Sequence, residues 1–178
     1  MLSADFGFRT AVNPQSRLFN LEFGGGALLD VGVYNLSLAS MIFGAPSRVV
    51  GMAHLGETGV DELAAMILGY DGGQMAILHT AVRTTTPQEA ILMGTEGWVR
   101  LHSPWWRPDT FTVTVSGQEE SVHLPFEGNG YGHEATEVMA CVRAGKLESD
   151  VMPLGETLQI LETMDQLRAQ WGLKYPME

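Results

Sequence analysis

The run Gly24-Gly25-Gly26-Ala27-Leu28-Leu29-Asp30-Val31-Gly32-Val33-Tyr34-Asn35-Leu36 constrains the fold more than any other part of this chain. It reads as a glycine-rich approach to an apolar helix carrying an acid and a phenol. On a helix, residues four apart lie on one face, so Asp30 and Tyr34 project the same way and Ser37 continues their face. Leu28, Leu29, Val31, Val33, Leu36, Leu38, Ile42 and Phe43 fill most of the other positions. A helix apolar nearly all round is a buried one. A buried acid and phenol lose their water and need partners in exchange. The pattern therefore predicts that the pair sits in an internal polar network or lines a cavity.

Around this helix the periodicity divides the chain into three stretches. Residues 2–9 alternate weakly and read as a strand, followed by a polar loop around Asn13-Pro14-Gln15-Ser16-Arg17. The helix stops at Phe43-Gly44-Ala45-Pro46, where Gly caps and Pro forbids continuation. From Val49 to Leu124 short runs alternate with turn residues, the pattern of antiparallel strands. The clearest hairpin is Leu63–Tyr70, Asp71-Gly72-Gly73, then Gln74–Arg83, because Asp-Gly favours the positive-φ turn that matches strand twist. Further strands are expected at Glu89–Gly94, Trp98–His102, Phe111–Val115 and Ser121–Leu124. After Leu124 the helical period returns, over 133–144 and 155–171, the latter with Leu158, Leu161, Met164, Leu167 and Trp171 as its expected stripe.

This order is that of an α+β domain over residues 1–178: an open, mostly antiparallel sheet with helices packed on one face. No parallel βαβ alternation is visible. Both faces of the central hairpin are apolar, Leu63, Ala65 and Ile67 on one and Ala64, Met66 and Leu68 on the other. One face packs on the helices and the other also needs cover, so a homodimer through the sheet is expected.

The totals narrow the partners. Acids outnumber bases 21 to 10, giving a net charge of −11, which argues against nucleic acid or an anionic membrane. The longest apolar stretch, near residues 27–43, contains Asp30 and is short for a membrane span. No basic-then-apolar leader opens the chain. The single cysteine, Cys141, forms no internal disulfide. A cytoplasmic protein is expected, with Cys141 as a small core residue.

Two readings of Asp30 and Tyr34 stand side by side. In one, the acid complements a helix N-terminus and the phenol is a hydrogen-bonded core residue. In the other they are a proton-transfer pair. A phenol ionises near pH ~10, so a proton-exchanging tyrosine at neutral pH needs a cation beside it. The only lysines, Lys146 and Lys174, lie in the C-terminal helical part, so the cation is expected from elsewhere. Glycines 24–26 are not a dinucleotide fingerprint, which needs G-x-G-x-x-G inside a βαβ unit. The five histidines show no ligand spacing, so no metal is expected. Three loops are weaker candidates. Trp105 and Trp106, held between Pro104 and Pro108, either cap the sheet or wall an apolar or sugar-like ligand. The glycine-rich 125–132 is a helix entry or a lid with Tyr131 as its contact. Arg83, at the end of a strand with Thr84–Thr86, is the third.

The segment from Arg17-Leu18-Phe19-Asn20 through Asp30-Val31-Gly32-Val33-Tyr34 resembles the start of the C-terminal domain of the glucose–fructose oxidoreductase/inositol dehydrogenase (Gfo/Idh/MocA) family. The likeness continues through Gly56–Glu62, Gly94-Thr95-Glu96-Gly97, Pro104–Pro108, Glu127–Tyr131, Leu147-Glu148-Ser149 and Met152-Pro153-Leu154. It is nearest the dihydrodiol dehydrogenase and NADP-dependent xylose dehydrogenase branch. The resemblance implies a substrate-binding and dimerising half of an oxidoreductase acting on a vicinal diol or sugar hydroxyl. It implies NAD or NADP bound by an N-terminal Rossmann domain that this chain lacks, so that the chain alone is expected to bind no cofactor and to be inactive. It also implies catalysis by a Lys of a Glu-Lys-Pro motif, likewise absent, together with Asp30 and Tyr34. Arg83, Trp105, Trp106 and Tyr131 are the residues expected to contact substrate. The contrasting expectation is a freestanding, non-catalytic dimeric module that binds a sugar-like ligand or a partner.

Overall fold

The computed structural model describes residues 1–178. Strand β1 (Leu2–Gly7) opens the chain. Two 3-10 turns (Arg17–Phe19 and Leu21–Phe23), a π-helical turn (Leu28–Gly32) and helix α1 (Val33–Phe43) follow. Then come β2 (Arg48–Leu55), β3 (Asp61–Gly69), β4 (Met75–Ala81), β5 (Ala90–Met93), β6 (Gly97–Leu101), β7 (Thr110–Val115) and β8 (Gln118–His123). Helices α2 (Tyr131–Arg143) and α3 (Leu154–Trp171) complete the order. All strands join one open sheet in the order β2-β3-β4-β1-β5-β6-β7-β8.

Every neighbouring pair is antiparallel except one: β1 runs parallel to β4, with Leu2 opposite Ala76 and Gly7 opposite Ala81. The connection from β1 to β4 passes through α1 and then a whole hairpin. A parallel pair made this way leaves no βαβ alternation in the sequence. The hairpin itself forms as expected, β3 pairing with β4 from Leu63 opposite Ala81 to Gly69 opposite Met75. Edge strand β2, which the turn pattern did not single out, is tied down by α3. Gln170 accepts from the Gly51 N–H and donates to the Val49 carbonyl, both at 3.0 Å. That side chain occupies backbone groups an edge would otherwise offer to another chain.

The core lies between one sheet face and the helices. Ala64, Met66 and Leu68 of β3 join Ala76 and Leu78 of β4, Leu2 and Ala4 of β1, and Leu36 and Ala39 of α1. The opposite face of β2–β4 stays open, with Val50, Met52, Leu63, Ile67 and Ile77 exposed. The stretch Leu21–Phe43 has the length and apolarity of a membrane span. In the fold it is broken into 3-10, π and α pieces, and half of it is buried.

Three sequence expectations are corrected. The helix is not buried all round, since Tyr34 and Met41 stand out on its outer side. The buried stripe of α3 is Ile160, Thr163, Met164 and Leu167, while Leu158 and Leu161 are exposed. Successive i+3 steps rotate off a helix face, and only the mixed 3-4 spacing from Ile160 keeps to it. Cys141 is no core residue: it is half-buried on α2, which buries none of its side chains, and its thiol points to Glu137.

Candidate active site

The glycine run and α1 place Asp30 and Tyr34 by unusual means. Leu28–Gly32 closes as a π turn, with the Val33 N–H donating to the Leu28 carbonyl. A π turn inserts one residue into the helix, a feature concentrated at functional sites. Beyond it Asn35, fully buried, donates its side-chain amide to the His79 carbonyl at 2.9 Å and pins α1 to β4. Thr80 donates to the Phe6 carbonyl at 3.1 Å, joining β4 to β1 beneath the turn.

Asp30 is mostly covered, and its Oδ1 accepts from the guanidinium of Arg17, with which it forms an ion pair. Arg17, thirteen residues upstream in the first 3-10 turn, is thus the cation beside Asp30, and its contact is with the acid and not with the Tyr34 phenol. Tyr34 is 43% exposed and leans on an aromatic base. Its ring meets Phe6 edge-on at 5.2 Å between centroids and Trp106 at 6.3 Å. Phe6 and Trp106 are stacked at 3.6 Å and 8°. A phenol on such a platform loses rotational freedom while its polar tip stays wet.

Two cavities meet at Tyr34 and Trp106. The larger, about 670 Å³, is mainly apolar and runs between Val33, Ser37 and Met41 of α1, Leu101 of β6, and Met152. The smaller, about 300 Å³, adds Arg107, Phe126, Asn129, Tyr131 and Glu134. Of the residues singled out from the sequence, Tyr34, Trp106 and Tyr131 are therefore brought together. Trp105 lines the larger cavity but is itself buried, and its Nε1–H donates to the Asp5 carbonyl at 2.7 Å. Arg83 lies apart. It donates to the Thr10 carbonyl, pairs with Glu62, and lines neither cavity. Arg17, Phe6, Arg107 and Phe126 escaped the sequence reading. Arg107 and Phe126 sit inside loops that composition had marked, whereas nothing local signals that Phe6 reaches Trp106.

One more acid belongs to the surroundings. Asp61, at the start of β3, is fully buried, and its Oδ2 accepts from the Leu28 N–H at 2.7 Å. Burial pushes its carboxyl up to about 7, against the opposite pull of the Leu28 amide.

The same fold recurs in solved oxidoreductases. An aldose-aldose oxidoreductase from Caulobacter crescentus, complexed with glycerol, superposes with a TM-score of 0.80 at 20% identity, over 93% of this chain and 51% of that one. A 3-ketoreductase from Actinomadura kijaniata, in complex with NADP and TDP-benzene, gives 0.76 at 21% identity, over 94% and 52%. Residues 1–100 match the GFO/IDH/MocA C-terminal domain, and the chain belongs to this family of oxidoreductases. Along 98% of its length it is 34% identical to a trans-1,2-dihydrobenzene-1,2-diol dehydrogenase of Xenopus tropicalis. It spans about half the length of the curated relatives it matches.

The glycine loop does not fit a dinucleotide. A pyrophosphate needs free amides and no negative charge at the helix N-terminus. Here the Leu28 N–H is already taken by the Asp61 carboxyl, and a Cβ on Gly26 would fall 2.0 Å from Asp61 Oδ1. The space that a phosphate would enter is filled by an acid of the chain itself.

Proposed function

We propose that this chain is the substrate-binding and dimerising half of a nicotinamide-dependent oxidoreductase that acts on a vicinal diol or a sugar hydroxyl. The observation that carries the reading is the half-exposed Tyr34, set on Phe6 and Trp106 where an apolar and a polar cavity meet. The apolar cavity suits the ring of the substrate. Tyr34 reaches its hydroxyl and exchanges the proton, a role for which positioned phenols serve as general acids and bases. Asp30 lines neither cavity; paired with Arg17 in the turn that leads into α1, it orients the pair from behind Tyr34. Trp106 and Tyr131 wall the substrate, and Arg107, Asn129 and Glu134 offer polar contacts to its rim.

NAD or NADP belongs, in this reading, to the half of the relatives' length that this chain does not cover. The exposed apolar face of β2–β4 supports a homodimer with a second copy. The one unpaired cysteine agrees with a reducing cytoplasm. A sugar reading draws on the polar cavity, and a diol on an apolar ring draws on the larger one.

Ligand binding to the chain itself tests the proposal. Titration with a cyclic trans-diol and with xylose, followed by tryptophan fluorescence and by NMR, is expected to give saturable shifts in the millimolar range. These should centre on Tyr34, Trp106 and Phe6, with the diol binding the tighter. No saturable shift with either ligand overturns the reading. Binding that never leads to turnover in the two-domain protein favours a non-catalytic module instead.

A further inference from the structure

The π turn is held by two side chains that come from far along the chain. Asp61 caps the Leu28 amide from β3 at 2.7 Å, while its other oxygen, also buried, has no partner. Gly26 makes room for it. Its φ of +121° and the 2.0 Å gap between a Cβ there and Asp61 Oδ1 mean that no other residue fits. Tyr175, buried in the C-terminal tail, donates its hydroxyl to the Gly25 carbonyl at 2.8 Å across 150 positions. The Tyr175 ring is held in turn. The Arg168 guanidinium lies 4.9 Å from its centre and is itself anchored by Asp165 at 2.5 Å and Glu178 at 2.7 Å.

The grip passes to Asp30 through the backbone. The Asp30 N–H donates to the Gly26 carbonyl at 3.3 Å, so the residue that Asp61 crowds also holds the amide of the acid. The Gly26 N–H donates to the Leu18 carbonyl at 2.9 Å, next to Arg17, the ion-pair partner of Asp30. A displacement at Gly25–Gly26 therefore moves both ends of the Arg17–Asp30 pair. Tyr34 rests on Phe6 and Trp106 and does not share this tether.

We infer that Asp61 and Tyr175 are positioning residues, a clamp on the Gly24–Gly26 loop that sets the π turn and so fixes the Arg17–Asp30 pair at the entry to the helix that carries Tyr34. This rests on the roles proposed above for Asp30 and Tyr34. The clamp acts on orientation, so it governs turnover and leaves substrate affinity nearly unchanged.

Two measurements on Asp61→Asn and Tyr175→Phe test it. In the 178-residue chain, amide exchange at Leu28 and Asp30 is expected to rise roughly 10-fold or more in both variants, while exchange at Leu78 in the sheet stays within about twofold. Unchanged exchange at Leu28 and Asp30, or an equal rise at Leu78, overturns the clamp. In the two-domain protein, kcat is expected to fall roughly 10- to 100-fold with KM within about twofold. An unchanged kcat, or a loss confined to KM, overturns the positioning role. A wild-type two-domain protein that turns over neither diol nor sugar contradicts the proposed function alone, because the exchange arm still decides the clamp.

Discussion

At the scale of single residues, the three groups around the π turn are held by different physics. Asp30 is held by its ion pair with Arg17, whose guanidinium is exposed, and a pair of this kind contributes about 0–1 kcal/mol. Tyr34 is held by ring packing. Asp61 has lost its water, and a carboxyl whose pKa in the fold is raised from 3.8 to about 7 makes stability depend on pH. Between these values the folded chain retains a proton that the unfolded chain has released. The contribution to stability is thus complete below the unfolded value and is lost as pH rises through about 7. The melting temperature is therefore expected to fall between about pH 4 and about pH 7 and to level off above, and Asp61→Asn, which cannot ionise, should flatten that slope. Glu178, lowered chiefly by its hydrogen bond from Arg168, acts in the opposite sense, its contribution being lost as pH falls. An identical slope in wild type and Asp61→Asn contradicts the assignment.

At the scale of elements, the sheet face facing away from the helices is the part whose behaviour most needs explaining. Val50 of β2 lies opposite Ile67 of β3, and Ile67 opposite Ile77 of β4, so the apolar side chains form continuous cross-strand rows. Rows of this kind with no helix over them mark an interface. A face-to-face dimer burying upwards of ~2,000 Å² is expected, and sedimentation at micromolar concentration should give about 39 kDa, twice the 19.4 kDa chain. A monomer that does not aggregate contradicts it. The hairpin beneath this face was legible because Asp71-Gly72-Gly73 states its turn and both flanks carry β-formers. The place of β1 was not, because nothing in Leu2–Gly7 says that it inserts between β4 and β5. The π turn was equally hidden: an inserted helical residue leaves the apolar pattern of Leu28–Leu36 intact. Its cause is tertiary, namely Asp61 and Tyr175 acting from distant sequence. For the same reason the spacing of Asp30 and Tyr34 stands out in the sequence, whereas Arg17 and Phe6, which touch them, do not.

For the whole molecule, the layout puts the proposed chemistry and the proposed assembly on opposite sides of one sheet. The helical side carries the Gly24–Gly26 loop, the π turn, Tyr34 and both cavities, and the open side carries the apolar rows. A dimer formed through the open side leaves the cavities accessible to substrate and to a second domain. The central claim is that Tyr34 exchanges the substrate proton. Tyr34 is half-exposed and its hydroxyl bonds to no other group of the chain, so Tyr34→Phe should change stability by less than ~1 kcal/mol. The decisive measurement is kcat of the two-domain protein carrying Tyr34→Phe, beside its melting temperature. Turnover is expected to fall by roughly 10² or more with folding intact. Near-normal turnover in a well-folded Tyr34→Phe enzyme contradicts it.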